Sequence, residues 1–173
     1  MIKELPEINP LEFKNLYEML NKKKLPFTGN NNNSKRGRYK FPDHRSATLG
    51  LVKQRLGGLV GLSKFSVDNP EIFDEIVRIG DEFCPFLYTS IHLNHCVTCP
   101  KHKDGYNNGD SMLVSFGEYS GSKIVIEYDD KIEVFNTKHK PILFNGAKYF
   151  HWNTPDLEGN KYSLVFYNSK KCY

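Results

Sequence analysis

From Pro85 onward the chain breaks into short β-type runs with no helical period between them: "FLYTSIHL", "SMLVSFGEY", "KIVIEY", "KIEVF", "PILFNG", "YFHW" and "YSLVFY". Turn-forming residues separate these short runs, which are rich in β-branched and aromatic residues, the pattern of strands. "DD" between "KIVIEY" and "KIEVF" fits a two-residue hairpin turn. So many consecutive strands without an intervening helix exclude a parallel α/β sheet, which needs crossover helices, and point to a sandwich or jelly roll.

Two helices are expected ahead of these strands. "NPLEFKNLYEMLNKKK" opens with Asn9 as N-cap and Pro10 at the first helical position, and its Phe13, Leu16, Tyr17 and Leu20 form one stripe. "NPEIFDEIVRIGDEFCP" repeats that opening with Asn69 and Pro70, carries Ile72, Phe73, Ile76, Ile79 and Phe83 on one face, and stops at Pro85. Both stripes are core-forming. At 173 residues and 39% hydrophobic content, the chain is expected to form a single domain over 1–173, with residues 1–84 packed on a β core of residues 85–173.

The formal net charge of +4 is unevenly spread. Between Lys22 and Val67 there are eleven Lys and Arg against the single Asp43, a local charge of +10 that leaves −6 for the rest. The low-complexity "GNNNNSKRGRYK" lies inside this segment. It reads either as a solvated polar loop or as an arm for a polyanion, with Lys35, Arg36, Arg38, Lys40 and Arg45 as candidate phosphate contacts and Tyr39 or Phe41 as stacking residues.

The opening "MIKELPEINPLEF" lacks a signal-peptide profile, and the longest near-apolar run, "LGGLVGL", is too short to span a bilayer. A soluble, intracellular protein without a membrane partner is expected. The four cysteines, Cys84, Cys96, Cys99 and Cys172, are expected as thiols rather than disulfides.

"CPKHKDGY" places His102 and Asp104 two residues apart at a strand end, where alternation turns both side chains to one side. A third ligand is available in "KYFHWN", where His151 sits in an aromatic strand; His139 belongs to a polar turn. Two imidazoles and one carboxylate on one face of a metal leave open positions, the arrangement suited to non-haem Fe(II). "HCVTCPKH" supports a competing reading, a zinc knuckle through Cys96, Cys99 and His102, but no second Cys/His pair follows at a suitable spacing.

Residues 85–169 resemble the Fe(II)/2-oxoglutarate-dependent dioxygenases, whose core is a double-stranded β-helix. "LNHCVTCPKHKD" is similar to that superfamily's strand-plus-ligand opening, "SFGEYSGSKIVI" to its glycine-marked hairpin, and "HWNTPDLEGNKYSLVFY" to its closing stretch. The resemblance implies Fe(II) held by His102, Asp104 and His151, with 2-oxoglutarate as cosubstrate and O2 as co-reactant. It also implies Lys161 and Ser163 as the anchor of the cosubstrate's far carboxylate, with Tyr88 and Asn94 adding hydrogen bonds. Lys161 and Ser163 share parity, so a strand turns both to the same side, and a lysine with a neighbouring hydroxyl gives a carboxylate charge and a directed hydrogen bond.

Within the superfamily, "HKDGYNNGDSMLVSFGEYSG" looks most like the ten-eleven-translocation and J-binding-protein oxygenases, implying hydroxylation of a 5-methylpyrimidine base in nucleic acid. Two residues depart from that branch: Lys161 stands where it has Arg, and Ser122 where a second glycine is expected. A side-chain hydroxylase of prolyl or lysyl type, acting on a protein substrate, is the alternative.

Overall fold

The computed structural model describes residues 1–26, 44–55 and 57–173. Ten strands are present among them: β1 (Lys3–Glu4), β2 (Arg45–Lys53), β3 (Val60–Leu62), β4 (Ser90–His95), β5 (Ser111–Ser120), β6 (Ile124–Tyr128), β7 (Lys131–Phe135), β8 (Ile142–Phe144), β9 (Phe150–Asn153) and β10 (Glu158–Tyr167). Seven form a large sheet in the order β1-β8-β5-β10-β4-β2-β3, and three form a small sheet in the order β7-β6-β9. The pairings within both sheets are antiparallel. Leu113 and Val165 of the large sheet pack with Ile124 and Ile126 of the small one, so the sheets close face to face as a jelly roll.

Alternation along β10 divides the two faces of the large sheet. Tyr162, Leu164 and Phe166 point to the helices, together with Ile91, Leu93, Met112, Val114 and Phe116. Lys161, Ser163 and Val165 point the other way, into the space between the sheets. The helical layer consists of a 3-10 turn at Pro10–Phe13 leading into α1 (Lys14–Asn21), then α2 (Lys64–Asp68) and α3 (Pro70–Phe83). Its buried stripe is the one read from the sequence: Phe13, Leu16 and Leu20 from the first segment and Ile72, Ile76 and Ile79 from α3. Asn9 caps the 3-10 turn by accepting from the Leu11 amide at 3.0 Å. Asn69 makes no such cap; its side-chain amide donates to the Phe65 carbonyl at 2.9 Å and joins α2 to α3.

The "DD" turn is a two-residue hairpin, with Asp129 and Asp130 at φ of 47° and 61° and Tyr128 opposite Lys131. Strands also arise in the basic segment: β2 pairs with β4 from Arg45↔His95 to Gly50↔Ser90 and carries β3 on its outer edge. No disulfide joins the four cysteines, and among the described residues no helix is long and apolar enough to cross a membrane.

Gly117 fixes the register that sets the interior. It lies opposite Lys161 at φ 118°, and a Cβ there would come within 2.2 Å of the Asn160 carbonyl oxygen. Gly117→Ala should therefore cost about 2 to 3 kcal/mol, from strained backbone and forced separation of β5 from β10. A urea midpoint equal to that of the wild type would refute this register.

Candidate metal centre

The site begins with a backbone pairing. His102 and His151 exchange both main-chain hydrogen bonds at 3.0 Å, the Asn153 amide donates to the Cys99 carbonyl at 3.0 Å, and the Asp104 amide donates to the Gly146 carbonyl at 2.9 Å. The stretch 99–104 thus runs beside β9 as a further edge of the small sheet. Directly opposed residues share a face, so the two imidazoles lie side by side with centroids 4.3 Å apart, and Asp104 follows on the same face two residues later.

The ring orientations follow from two carbonyls. His102 Nδ1 is 2.6 Å from the Pro100 oxygen and His151 Nδ1 is 3.0 Å from the Tyr149 oxygen. A carbonyl only accepts, so each Nδ1 donates to it and each Nε2 is the ring nitrogen left to face the site. Those Nε2 atoms lie 3.4 Å and 3.5 Å from Asp104 Oδ1 and Oδ2. One donor atom from each residue falls within 4.8 Å of the others, the only such cluster of three among the described residues.

Burial alone would raise the Asp104 carboxyl pKa, but the two imidazoles outweigh it and hold the group below the usual carboxylate range. Asn107 steadies the carboxylate, donating from Nδ2 to Asp104 Oδ2 at 3.2 Å and to Ser111 Oγ at 3.0 Å. Gly146 leaves the carboxylate its room, since a Cβ there would meet Asp104 Oδ2 at 2.2 Å. Imidazoles oriented by backbone carbonyls, a carboxylate held ionised and a cradle cleared by glycine fit a divalent iron with open positions.

The proposed anchor points into the same interior from the opposite, large sheet. Lys161 is 4% exposed, and its ammonium donates to both the carbonyl and the hydroxyl of Ser122 at 2.8 Å each. Burial depresses its pKa to about 8, against a smaller upward pull from Cys99 and Cys96. Among the described residues no carboxylate pairs with it. Ser163 is buried beside it, and Asn94 Nδ2 donates to Ser163 Oγ at 3.4 Å.

Tyr88 is not part of this group. It precedes β4, its ring packs edge-on against Phe166 at 5.0 Å on the helical side of the large sheet, and its hydroxyl lies 3.0 Å from Asp81 Oδ1. Arg45 begins β2, with Nη1 donating to the Leu25 carbonyl at 2.6 Å. Lys35, Arg36, Arg38 and Lys40, with Tyr39 and Phe41, lie outside the described residues. The zinc-knuckle set is not gathered: Cys96 turns its sulfur toward the Gly159 carbonyl at 3.7 Å, whereas His102 turns its Nε2 to Asp104.

Two supporting residues, Asn107 and Gly146, are not singled out by the sequence reading, and the role of a third, Ser122, is not either. Asn107 is three residues beyond Asp104 in "DGYN", and Gly146 ends "FNG", the turn before the ligand strand; both positions carry a local signal. The grip of Ser122 on Lys161 joins residues 39 positions apart and carries none.

No family sequence model matches the chain, and no curated protein matches it by sequence. Solved structures do. NgTET1 in complex with 5mC DNA aligns with a TM-score of 0.62 and 15% identity over 99% of this chain and 73% of that one. An oxidoreductase of the 2OG-Fe(II) oxygenase family from Burkholderia pseudomallei aligns at 0.58 and 15% identity, over 98% and 84% of the two chains. A Pseudomonas putida prolyl-4-hydroxylase aligns at 0.58 and 9% identity, over 97% and 92%. With its jelly-roll core and these neighbours, the chain has the fold of the 2-oxoglutarate/Fe(II) oxygenase superfamily.

Proposed function

We propose that this protein is an Fe(II)- and 2-oxoglutarate-dependent dioxygenase that hydroxylates a C–H bond on a nucleic-acid base of the 5-methylpyrimidine type. The observation that carries the enzymatic reading is that two features face one interior from opposite sheets. His102, Asp104 and His151 converge on one point, and the same interior holds a buried lysine whose ammonium, among the described residues, donates to the neutral oxygens of Ser122 and lies 5.5 Å from the Tyr119 ring centroid. A buried cation without a carboxylate partner is costly, and a ligand carboxylate would relieve that cost.

Iron(II) held by the triad, with 2-oxoglutarate and O2, would supply the oxidising chemistry, by which one oxygen atom would enter the substrate as hydroxyl and the other succinate, with release of CO2. The chain's own residues do the rest. Asp104 and the two Nε2 atoms would hold the metal. Lys161 and Ser163 would take the far carboxylate of the cosubstrate, which replaces the Ser122 oxygens on Nζ. Phe144, edge-on to His151 at 5.0 Å, and Ile126, fully buried, give the inner side of the site an apolar lining.

The choice of a base is supported by the resemblance of residues 102–121, by the +10 segment from Lys22 to Val67, and by the likeness to a structure solved with 5mC DNA. A base within a duplex cannot reach an interior triad, so the enzyme must flip it or act on single strands. The prolyl-4-hydroxylase neighbour supports the second reading, a protein side-chain hydroxylase. Incubation with Fe(II), 2-oxoglutarate and either methylated DNA, methylated RNA or a peptide library, followed by mass spectrometry, separates them. Oxygen added to a 5-methylpyrimidine is expected. Oxygen on a peptide with none on any nucleobase would replace the first reading with the second.

A further inference from the structure

The outer face of the small sheet carries a feature that the catalytic reading leaves unused. Residues on either side of the ligands point away from the interior: Lys101 and Lys103 flank His102, and Phe150 and Trp152 flank His151. The Lys103 ammonium lies 4.5 Å from the Phe150 ring centroid, while that of Lys101 lies 5.1 Å from Phe150 and 5.3 Å from Trp152. Across the sheet the register places Trp152 beside Val125 and Val134, and Phe150 beside Glu127 and Ile132. Phe150 is 42% exposed, Val134 54% and Ile132 62%. Glu127 is the acidic residue in this register, and it is paired with Lys101. Among the described residues, Lys103 forms no ion pair.

We propose that this face binds single-stranded nucleic acid, with bases stacked on Phe150 and Trp152 and phosphates on Lys101 and Lys103. A flat sheet face bearing adjacent aromatic rings, each with a flexible ammonium at hand, supplies the two interactions a single strand needs. The lysines now over the rings can swing to phosphates without backbone change, leaving the ring faces to bases. Charge favours a polyanion over a second copy of the chain: self-association would bring Lys101 and Lys103 together across a dyad, against like charges. The inference rests on the nucleic-acid reading for its partner. It places a strand on the far side of the two ligand-bearing segments, within reach of the site around the sheet edge.

Trp152 is the chain's single tryptophan, so the full-length protein carries its own reporter at the proposed surface. The probe is a short oligodeoxyadenylate, which offers no methylated pyrimidine to the interior. Its binding should quench Trp152 emission. Phe150→Ala should weaken it roughly 5- to 100-fold with an unchanged salt slope, and Phe150→Tyr should restore it. Replacing Lys101 and Lys103 by alanine should flatten the slope of log affinity against log salt by roughly 0.7 per lysine.

Absence of binding would overturn the proposal, as would binding that leaves Trp152 emission and the Phe150→Ala affinity unaltered. A concentration-dependent dimer abolished by Phe150→Ala would instead assign the face to a second copy. Quenching that persists while oxygen is found only on peptides would defeat the base-modifying reading and leave this surface standing.

Discussion

Replacing Asp104 with alanine is expected to lower Fe(II) affinity by at least about 100-fold, because even outer partners of metal ligands are worth 10- to 100-fold. It should also abolish the slow conversion of 2-oxoglutarate to succinate expected without substrate. The fold should survive. The Asp104 side chain contacts His102, His151 and Asn107, all at the site, and contributes nothing to either apolar cluster. Gly146→Ala is a companion that retains all three ligands. Its Cβ would sit 2.2 Å from Asp104 Oδ2, so the carboxylate must move and metal affinity should fall with it. Metal content measured on both purified variants, alongside circular dichroism, tests the assignment. Wild-type metal content and turnover in Asp104→Ala would remove the triad from consideration, and zinc retained through Cys96 and Cys99 would restore the knuckle.

The extent to which the sequence reveals this site depends on how local each contact is. His102 and Asp104 are two residues apart on an extended stretch, so parity turns both to one side, whereas His151 joins them only through its backbone pairing with His102. The same rule carries Lys161 and Ser163 along β10. It fails at Tyr88, because the strand begins only at Ser90 and alternation does not pass through the irregular "PFLYT". It also passes over β2, where charges at Arg45 and Lys53 mask a short apolar alternation of Ala47 and Leu49. Those two residues complete the helical face of the sheet beside Leu93 and Ile91.

Ser122 shows a further limit. The sequence marks it as a serine where a glycine is expected, and the backbone agrees, with φ at 50°. What holds a serine there is spread along the chain: its amide donates to Asp156 Oδ1 at 2.9 Å, and its carbonyl and hydroxyl take the Lys161 ammonium. Each of these bonds spans more than thirty residues and exists only once the hairpin and β10 have met. The departure is visible in the sequence; its compensation is a property of the fold.

Lys161→Ala should leave Fe(II) binding intact and raise the 2-oxoglutarate dissociation constant steeply. A ligand carboxylate left unpaired in a buried site costs on the order of 3 to 5 kcal/mol, corresponding to a factor of roughly 150 to several thousand. The wild-type protein should show a related pH dependence. Burial lowers the lysine's pKa from 10.5 to about 8, so the unliganded protein gives up its proton as pH rises through that value. Only the charged form attracts a carboxylate. Affinity should therefore be level below about pH 8 and weaken above it, approaching tenfold per pH unit. The same shift acts on folding with its own sign: between about 8 and 10.5 the unfolded chain binds more protons at this residue than the folded one, so this residue's contribution to stability rises with pH there. Loss of 2-oxoglutarate affinity under conditions that do not weaken the fold would thus separate titration of the anchor from alkaline unfolding. Calorimetric titration of the wild type and Lys161→Ala across this range checks both effects. An affinity in the variant equal to the wild type would mean that the cosubstrate's carboxylate is held elsewhere. A wild-type affinity that stays level through pH 9 would mean that the lysine, though buried, is not what the ligand meets.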